Sequence, residues 1–95
     1  MNLKRDDVVG SLTRKGFHHS KKKADHDFYT FRHNGKKTAV YTKVSRGTKY
    51  KTLGDTLVSM MAKQCRLSVQ EFAELVNCTL SAEEYEKKLL GSGHL

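Results

Sequence analysis

His26 stands where acid–base chemistry on a phosphate could be done. It lies between Asp25 and Asp27, just after Lys21-Lys22-Lys23 and just before Phe28-Tyr29-Thr30-Phe31. Imidazole gives and takes a proton near neutral pH. Lysines grip phosphate oxygens, and aromatics exposed on a sheet can stack on bases. Tyr41 and a second basic series, Lys43, Arg46, Lys49 and Lys51, follow downstream. Each of these has an ordinary reading beside the chemical one. Lysines on an edge strand discourage edge-to-edge pairing. A histidine on a strand is commonly a solvated surface group, and Phe28 and Tyr41 suit hairpin packing as well as stacking.

The remaining histidines offer less. His18, His19 and His33 read as surface residues. Together with Asp25, His26 and Asp27 they suggest a metal, but alternate residues on a strand face opposite ways, and no spacing matches a zinc site. No metal and no cofactor is expected. Cys65 and Cys78 fall in helical patterns and form no metal-type pair, which favours a reduced, cytoplasmic protein over a disulfide scaffold.

Charge points to the partner. Residues 1–51 hold fourteen Lys and Arg against four Asp, a net of +10. Residues 52–95 hold four against six Asp and Glu, a net of −2, giving +8 for the chain. Such polarity suits a polyanion, because cations that neutralise phosphates release condensed counterions. The 95 residues bound one domain, burying roughly 65% of its unfolded surface. No apolar run approaches the roughly 20 residues of a membrane span, and MNLKRDDVVG lacks the pattern of a signal peptide. We expect a single domain over 1–90 and a disordered tail over 91–95, monomeric when free.

These residues must be positioned by an α+β frame. Val8, Val9 and Leu12 make an apolar helical stripe, with Asp6 and Asp7 at its electropositive end and Gly16 ending it. Phe17 to Lys23 and residues 25–33 read as strands. Asn34-Gly35 is a strong hairpin signal, because a type I′ turn needs positive φ at both central residues. A third strand returns from Lys36 or Lys37 to about Val44, followed by a basic loop from Ser45 to Lys51. Leu53, Leu57, Met60, Met61 and Cys65 then follow helical spacing, with Thr52 as the expected cap and the Met60-Met61 pair in the core. Ser68-Val69-Gln70-Glu71 and Ser81-Ala82-Glu83-Glu84 are capping-box sequences opening two more helices, the first with Val69, Phe72, Ala73 and Val76 on one face. The order is α-β-β-β-α-α-α, a three-stranded antiparallel sheet with helices over one face.

A two-residue loop at Asn34-Gly35 predicts His33 opposite Lys36. Tyr29 then opposes Val40, Phe31 opposes Thr38 and Asp27 opposes Thr42, on the face that meets the helices. The open face would pair His26 with Lys43, Phe28 with Tyr41, and Arg32 with Lys37. A three-residue loop would flip the third strand.

In this order the segments resemble the HicA family of toxin–antitoxin toxins, small mRNA-cleaving ribonucleases with a fold like the double-stranded-RNA-binding domain (dsRBD-like). The likeness spans roughly residues 5–76. It rests on Arg14-Lys15-Gly16-Phe17, on His26 followed by aromatics, and on Asn34-Gly35-Lys36-Lys37. Thr42-Lys43-Val44-Ser45-Arg46-Gly47, Leu53 through Gln64, and Leu67-Ser68-Val69-Gln70-Glu71-Phe72 complete it. The resemblance implies a dsRBD-like α-β-β-β-α core, metal-independent cleavage of mRNA, and silencing by a HicB-like antitoxin; the extra C-terminal helix at 82–90 exceeds a minimal member of that family. It makes His26 the catalytic histidine, while the charge and aromatic pattern of the residues themselves makes Lys21, Lys22, Lys23, Phe28, Tyr41, Lys43, Arg46, Lys49 and Lys51 the expected RNA-binding set. The family's Gly-Ser before that histidine is replaced by Ala24-Asp25. A nearby carboxylate would favour the imidazolium. Two alternatives remain open: a non-catalytic RNA-binding module on the same fold, and a DNA-binding protein using the helices after residue 52. The local charge of −2 there speaks against the second.

Overall fold

The computed structural model describes residues 2–23, 26–45, 51–77 and 79–95, without the side chains of 20–23, 26 and 45. The elements run β1 (Leu3–Lys4), α1 (Arg5–Arg14), β2 (Phe17–Lys23), β3 (His26–His33), β4 (Lys36–Ser45), β5 (Thr52–Leu53), α2 (Asp55–Gln64), α3 (Val69–Val76) and α4 (Ala82–Gly91). Among the described residues the architecture is α+β: a three-stranded antiparallel sheet in the order β2-β3-β4, four helices, and a two-stranded β1–β5 ladder. No described helix is long and apolar enough to cross a membrane.

Local chemistry explains the first half. Asp6 and Asp7 occupy the first turn of α1 and Arg14 the last, complementing the helix dipole. Val8 and Leu12 are fully buried. Gly16 follows the helix at φ +103, where an added Cβ would stand 3.0 Å from Phe31 Cε1, so the chain can enter β2 here only with glycine. Asn34 at φ 53 and Gly35 at φ 76 close the β3–β4 hairpin in the sense a type I′ turn requires.

The register holds at the hairpin tip and changes beyond it. Arg32 opposes Lys37 and His33 opposes Lys36, as expected from the turn. The ladder then shifts between Thr30 and Arg32, so that Thr30 opposes Tyr41, Tyr29 opposes Thr42, Phe28 opposes Lys43, Asp27 opposes Val44 and His26 opposes Ser45. The expected direct pairs Phe28–Tyr41, His26–Lys43, Tyr29–Val40 and Asp27–Thr42 are thereby corrected. Thr38 supplies the physical reason. Its Oγ1 donates to the Phe31 carbonyl at 2.8 Å and accepts from the Val40 N–H at 3.2 Å, bridging the irregularity with a side chain. The slip is by two residues, so the alternation of faces survives it. The β2–β3 ladder has a different irregularity. His19 opposes Tyr29 but Lys21 opposes Phe28, leaving Ser20 as an extra residue. This one-residue bulge flips the alternation along β2 and brings Lys21 and Lys23 opposite Phe28 and His26.

The inner face of the sheet and the helices share one core. Phe17, Tyr29, Phe31, Val40, Thr42 and Val44 are buried on the sheet, with Val58, Met61, Phe72, Leu75, Tyr85 and Leu89 from α2, α3 and α4. Tyr85 packs against Phe17 at 5.8 Å and Phe31 at 5.3 Å between ring centroids. Its hydroxyl donates to the Cys65 carbonyl at 2.7 Å. Two long-range bonds tie α1 to the far end of the chain: Ser11 Oγ donates to the Val76 carbonyl at 2.6 Å, and the buried Lys15 Nζ to the Leu80 carbonyl at 2.9 Å.

Both capping boxes close, Ser68 with Glu71 and Ser81 with Glu84. Three helical expectations change. Thr52 and Leu53 belong to β5, paired with β1, and Gly54 is the N-cap of α2 without a side-chain cap bond. Met61 is in the core but Met60 is 47% exposed, because consecutive helical residues diverge by about 100°. Val69 is also exposed, while Leu75 joins Phe72, Ala73 and Val76 inside. Beyond α4, in the segment expected to be disordered, the His94 N–H bonds the Leu89 carbonyl at 2.9 Å. Leu95 packs partly buried against the core.

Candidate functional site

The sheet face opposite the core is built from the alternate residues of β3 and β4. Phe28, Thr30, Tyr41 and Lys43 lie there, and none is buried. Phe28 and Tyr41 are diagonal neighbours, their ring centroids 6.2 Å apart in a tilted arrangement. Tyr41 is 44% exposed and Phe28 half-buried. Two π-faces with cations beside them are what base stacking needs. Lys43 sits directly across from Phe28 and is held by α2. Gln64 Oε1, in the last residue of that helix, accepts from the Lys43 N–H at 3.2 Å and from Thr42 Oγ1 at 2.7 Å. Gln64 thus occupies a backbone donor of β4, a terminal strand of the sheet, and fixes the strand on which Lys43 and Tyr41 stand.

The remaining candidates divide in three groups. His26 opens β3, opposite Lys23 on one side and Ser45 on the other, and shares the parity of Phe28 along the strand. Lys21, Lys22 and Lys23 run along β2, the other terminal strand, opposite Phe28, Asp27 and His26. Arg46 and Lys49 lie outside the described residues. Lys51 belongs to a different grouping. Its carbonyl accepts from the Arg5 N–H at 2.9 Å, and with Lys4, Arg5, Asp6 and Thr52 it borders a cleft of about 370 Å³ at the start of α1.

Sequence reading missed two carboxylate–imidazole pairs. His19 Nε2 lies 3.1 Å from Asp27 Oδ1, and its ring meets Tyr29 edge-on at 5.3 Å. Burial, and then the Asp27 charge, raise the Tyr29 phenol above its ordinary value. His33, expected on the open surface, is partly buried. Its Nδ1 lies 3.1 Å from Glu86 Oε1, joining the hairpin to α4. The first pair could be sought once strand pairing is known, since His19 and Asp27 are cross-strand diagonal neighbours. The second joins a strand to a helix far along the chain and has no local signal. Among the described residues no group of three or more His, Cys, Asp or Glu comes together as metal ligands would. Cys65 is buried and unbridged. Burial pushes its thiol up to about 12, a Thr42 hydrogen bond opposing only in part; a thiol so poised is inert rather than nucleophilic.

No protein-family model, no curated protein and no solved structure matches the chain.

Proposed function

We propose that this chain binds single-stranded RNA on the open face of β3 and β4 and cleaves it, as a HicA-like toxin with a dsRBD-like α-β-β-β-α core would. The observation that carries the reading is the Phe28–Tyr41 pair with Lys43 across from Phe28, on a sheet face free of core residues, in the +10 half of the chain. His26 lies two positions from Phe28 along the same strand. The chemistry this supports is transesterification without a metal. The ribose 2′-oxygen attacks the adjacent phosphorus, forming the 2′-O–P bond as the P–O5′ bond breaks. A base takes the 2′-proton and an acid gives one to the leaving 5′-oxygen. His26 is suited to either transfer, and lysines neutralise the charge on the phosphate oxygens. The products are a 2′,3′-cyclic phosphate and a 5′-hydroxyl end. An acidic HicB-like antitoxin is the proposed silencing partner.

Ala24-Asp25 before His26 favours one second reading, a module that binds RNA without cutting it. Binding and cutting separate the two. Fluorescence anisotropy with a labelled single-stranded RNA should give a fall of log K with log salt at a slope of about −3.5 if about five phosphates are contacted. Tyr41→Ala should weaken binding by about tenfold, the lower part of the range for one lost stacking partner. A slope near zero, or unchanged affinity in Tyr41→Ala, contradicts the assignment of this face. Tight RNA binding that never yields cleavage supports the module.

A further inference from the structure

We propose that the cleft between the β3–β4 hairpin and the C-terminal segment is a binding site for the phosphate of a nucleotide unit. It has a volume of about 380 Å³ and is bordered by His33, Lys36, Lys37, Ala39, His94 and Leu95, among others. That volume falls within the range of small-ligand sites. Two lysines and two imidazoles line it, and no carboxylate side chain does. Lys36 and Lys37 make no ion pair among the described residues, and the Glu86 carboxylate is engaged by His33.

His33 is held rather than loose. Glu86 on α4 contacts Nδ1 at 3.1 Å, and Asn34 Nδ2 lies 3.4 Å from Nε2. The two contacts grip the ring at both nitrogens, from α4 on one side and from the hairpin turn on the other. Glu86 therefore fixes the ring from the α4 side. A phosphate oxygen entering the cleft would meet the Asn34 amide and the two lysine ammonium groups as donors, beside the held His33 ring. Ala39 and Leu95 add an apolar wall, suited to the body of a nucleoside.

The inference rests on the RNA reading of the neighbouring face and extends it. Lys37 and Ala39 continue along β4 the alternation that carries Tyr41 and Lys43. Six residue steps along the strand take Lys37 to Lys43, a span of about 20 Å. The cleft would anchor the far end of a strand stacked on Phe28 and Tyr41.

The test follows the histidine ring signals of the full chain by carbon–proton NMR. Adenosine 5′-monophosphate should shift His33 and His94 saturably, while adenosine should not. A Lys36→Ala/Lys37→Ala double variant should weaken the monophosphate by about tenfold or more, the cost of lost charge-assisted bonds. A dinucleoside monophosphate, which carries only an internal phosphodiester, tells the sources apart. Shifts as large as those from the monophosphate mean an internal backbone phosphate, and shifts from the monophosphate alone mean a terminal one. Unmoved His33 and His94 signals at high monophosphate overturn the site. So does an unchanged titration in the double variant, even where RNA still binds through Tyr41. If the monophosphate binds as described but single-stranded RNA does not bind at all, the cleft stands and the reading of the sheet face falls.

Discussion

Cys65 and Tyr85 show how single residues answer to their surroundings. Both are buried, and the Tyr85 hydroxyl bonds the Cys65 carbonyl. Burial raises the thiol from 9.0 to about 12 and raises the Tyr85 phenol as well. The unfolded chain loses these protons at lower pH than the folded one. A group whose folded pKa is raised contributes stability that is complete below its unfolded pKa and is lost as pH rises toward the folded value. For Cys65 the window runs from 9.0 to about 12. Denaturant midpoints should therefore be insensitive to this thiol below pH 9 and fall as pH climbs above it, and Cys65→Ala should flatten that fall. The absolute stability of the variant drops from the lost packing, so the slope against pH is the readout. Equal slopes for the two proteins contradict the assignment. Glu71 shows the opposite sign. The Lys88 ammonium, then the Ser68 backbone N–H, hold its carboxyl down to about 2. Its contribution is present above the ordinary value of 4.5 and fades as pH falls toward 2. It is small, because the side chain is 34% exposed to water and salt.

At the scale of elements, the hairpin shows what local sequence carries and where it stops. Asn34-Gly35 determines the turn, and with it the pairs next to it, because only residues tolerant of positive φ close a type I′ loop. The shift beyond Arg32 depends on Thr38, whose hydroxyl takes the place of a ladder bond. Thr38→Val keeps the shape and removes both bonds. It should cost about 1–3 kcal/mol, because the Phe31 carbonyl and the Val40 N–H lose their partner in a partly buried place. Thr38→Ser should recover much of that. Urea denaturation measures both, and a valine variant as stable as the parent would mean that the backbone holds the bulge unaided.

The same logic sorts the other elements. The helices at 69–76 and 82–91 were legible because Ser-x-x-Glu binds the orphan N–H groups within four residues. The two-residue strands β1 and β5 carry no period and pair across about half the chain, so the sequence offers Thr52 as a cap. The His33–Glu86 pair is set by tertiary contact, and the Ser20 bulge carries no local signal of its own. Of the candidate site, the aromatic and basic membership of the face could be read from alternation. The diagonal placing of Phe28 and Tyr41 could not.

Across the whole molecule, charge and fold are segregated together. The +10 half supplies α1 and the β2–β4 sheet, and the −2 half supplies the later helices. The proposed acidic partner would be steered to the sheet, with faster association at low salt. Hydrogen exchange on a complex with such an antitoxin should show protection within residues 21–50; protection confined to residues 69–90 would put silencing elsewhere. Cutting of RNA at the end of the sheet where His26 opens β3, as proposed, is tested most directly by its products. Purified wild-type chain and His26→Ala should be incubated with the same single-stranded RNA, and the product ends identified. The wild type should give 5′-hydroxyl products, cleavage should persist in the presence of a chelator, and it should be lost in a His26→Ala protein with an unchanged circular-dichroism spectrum. Undiminished cleavage by folded His26→Ala would contradict the proposal.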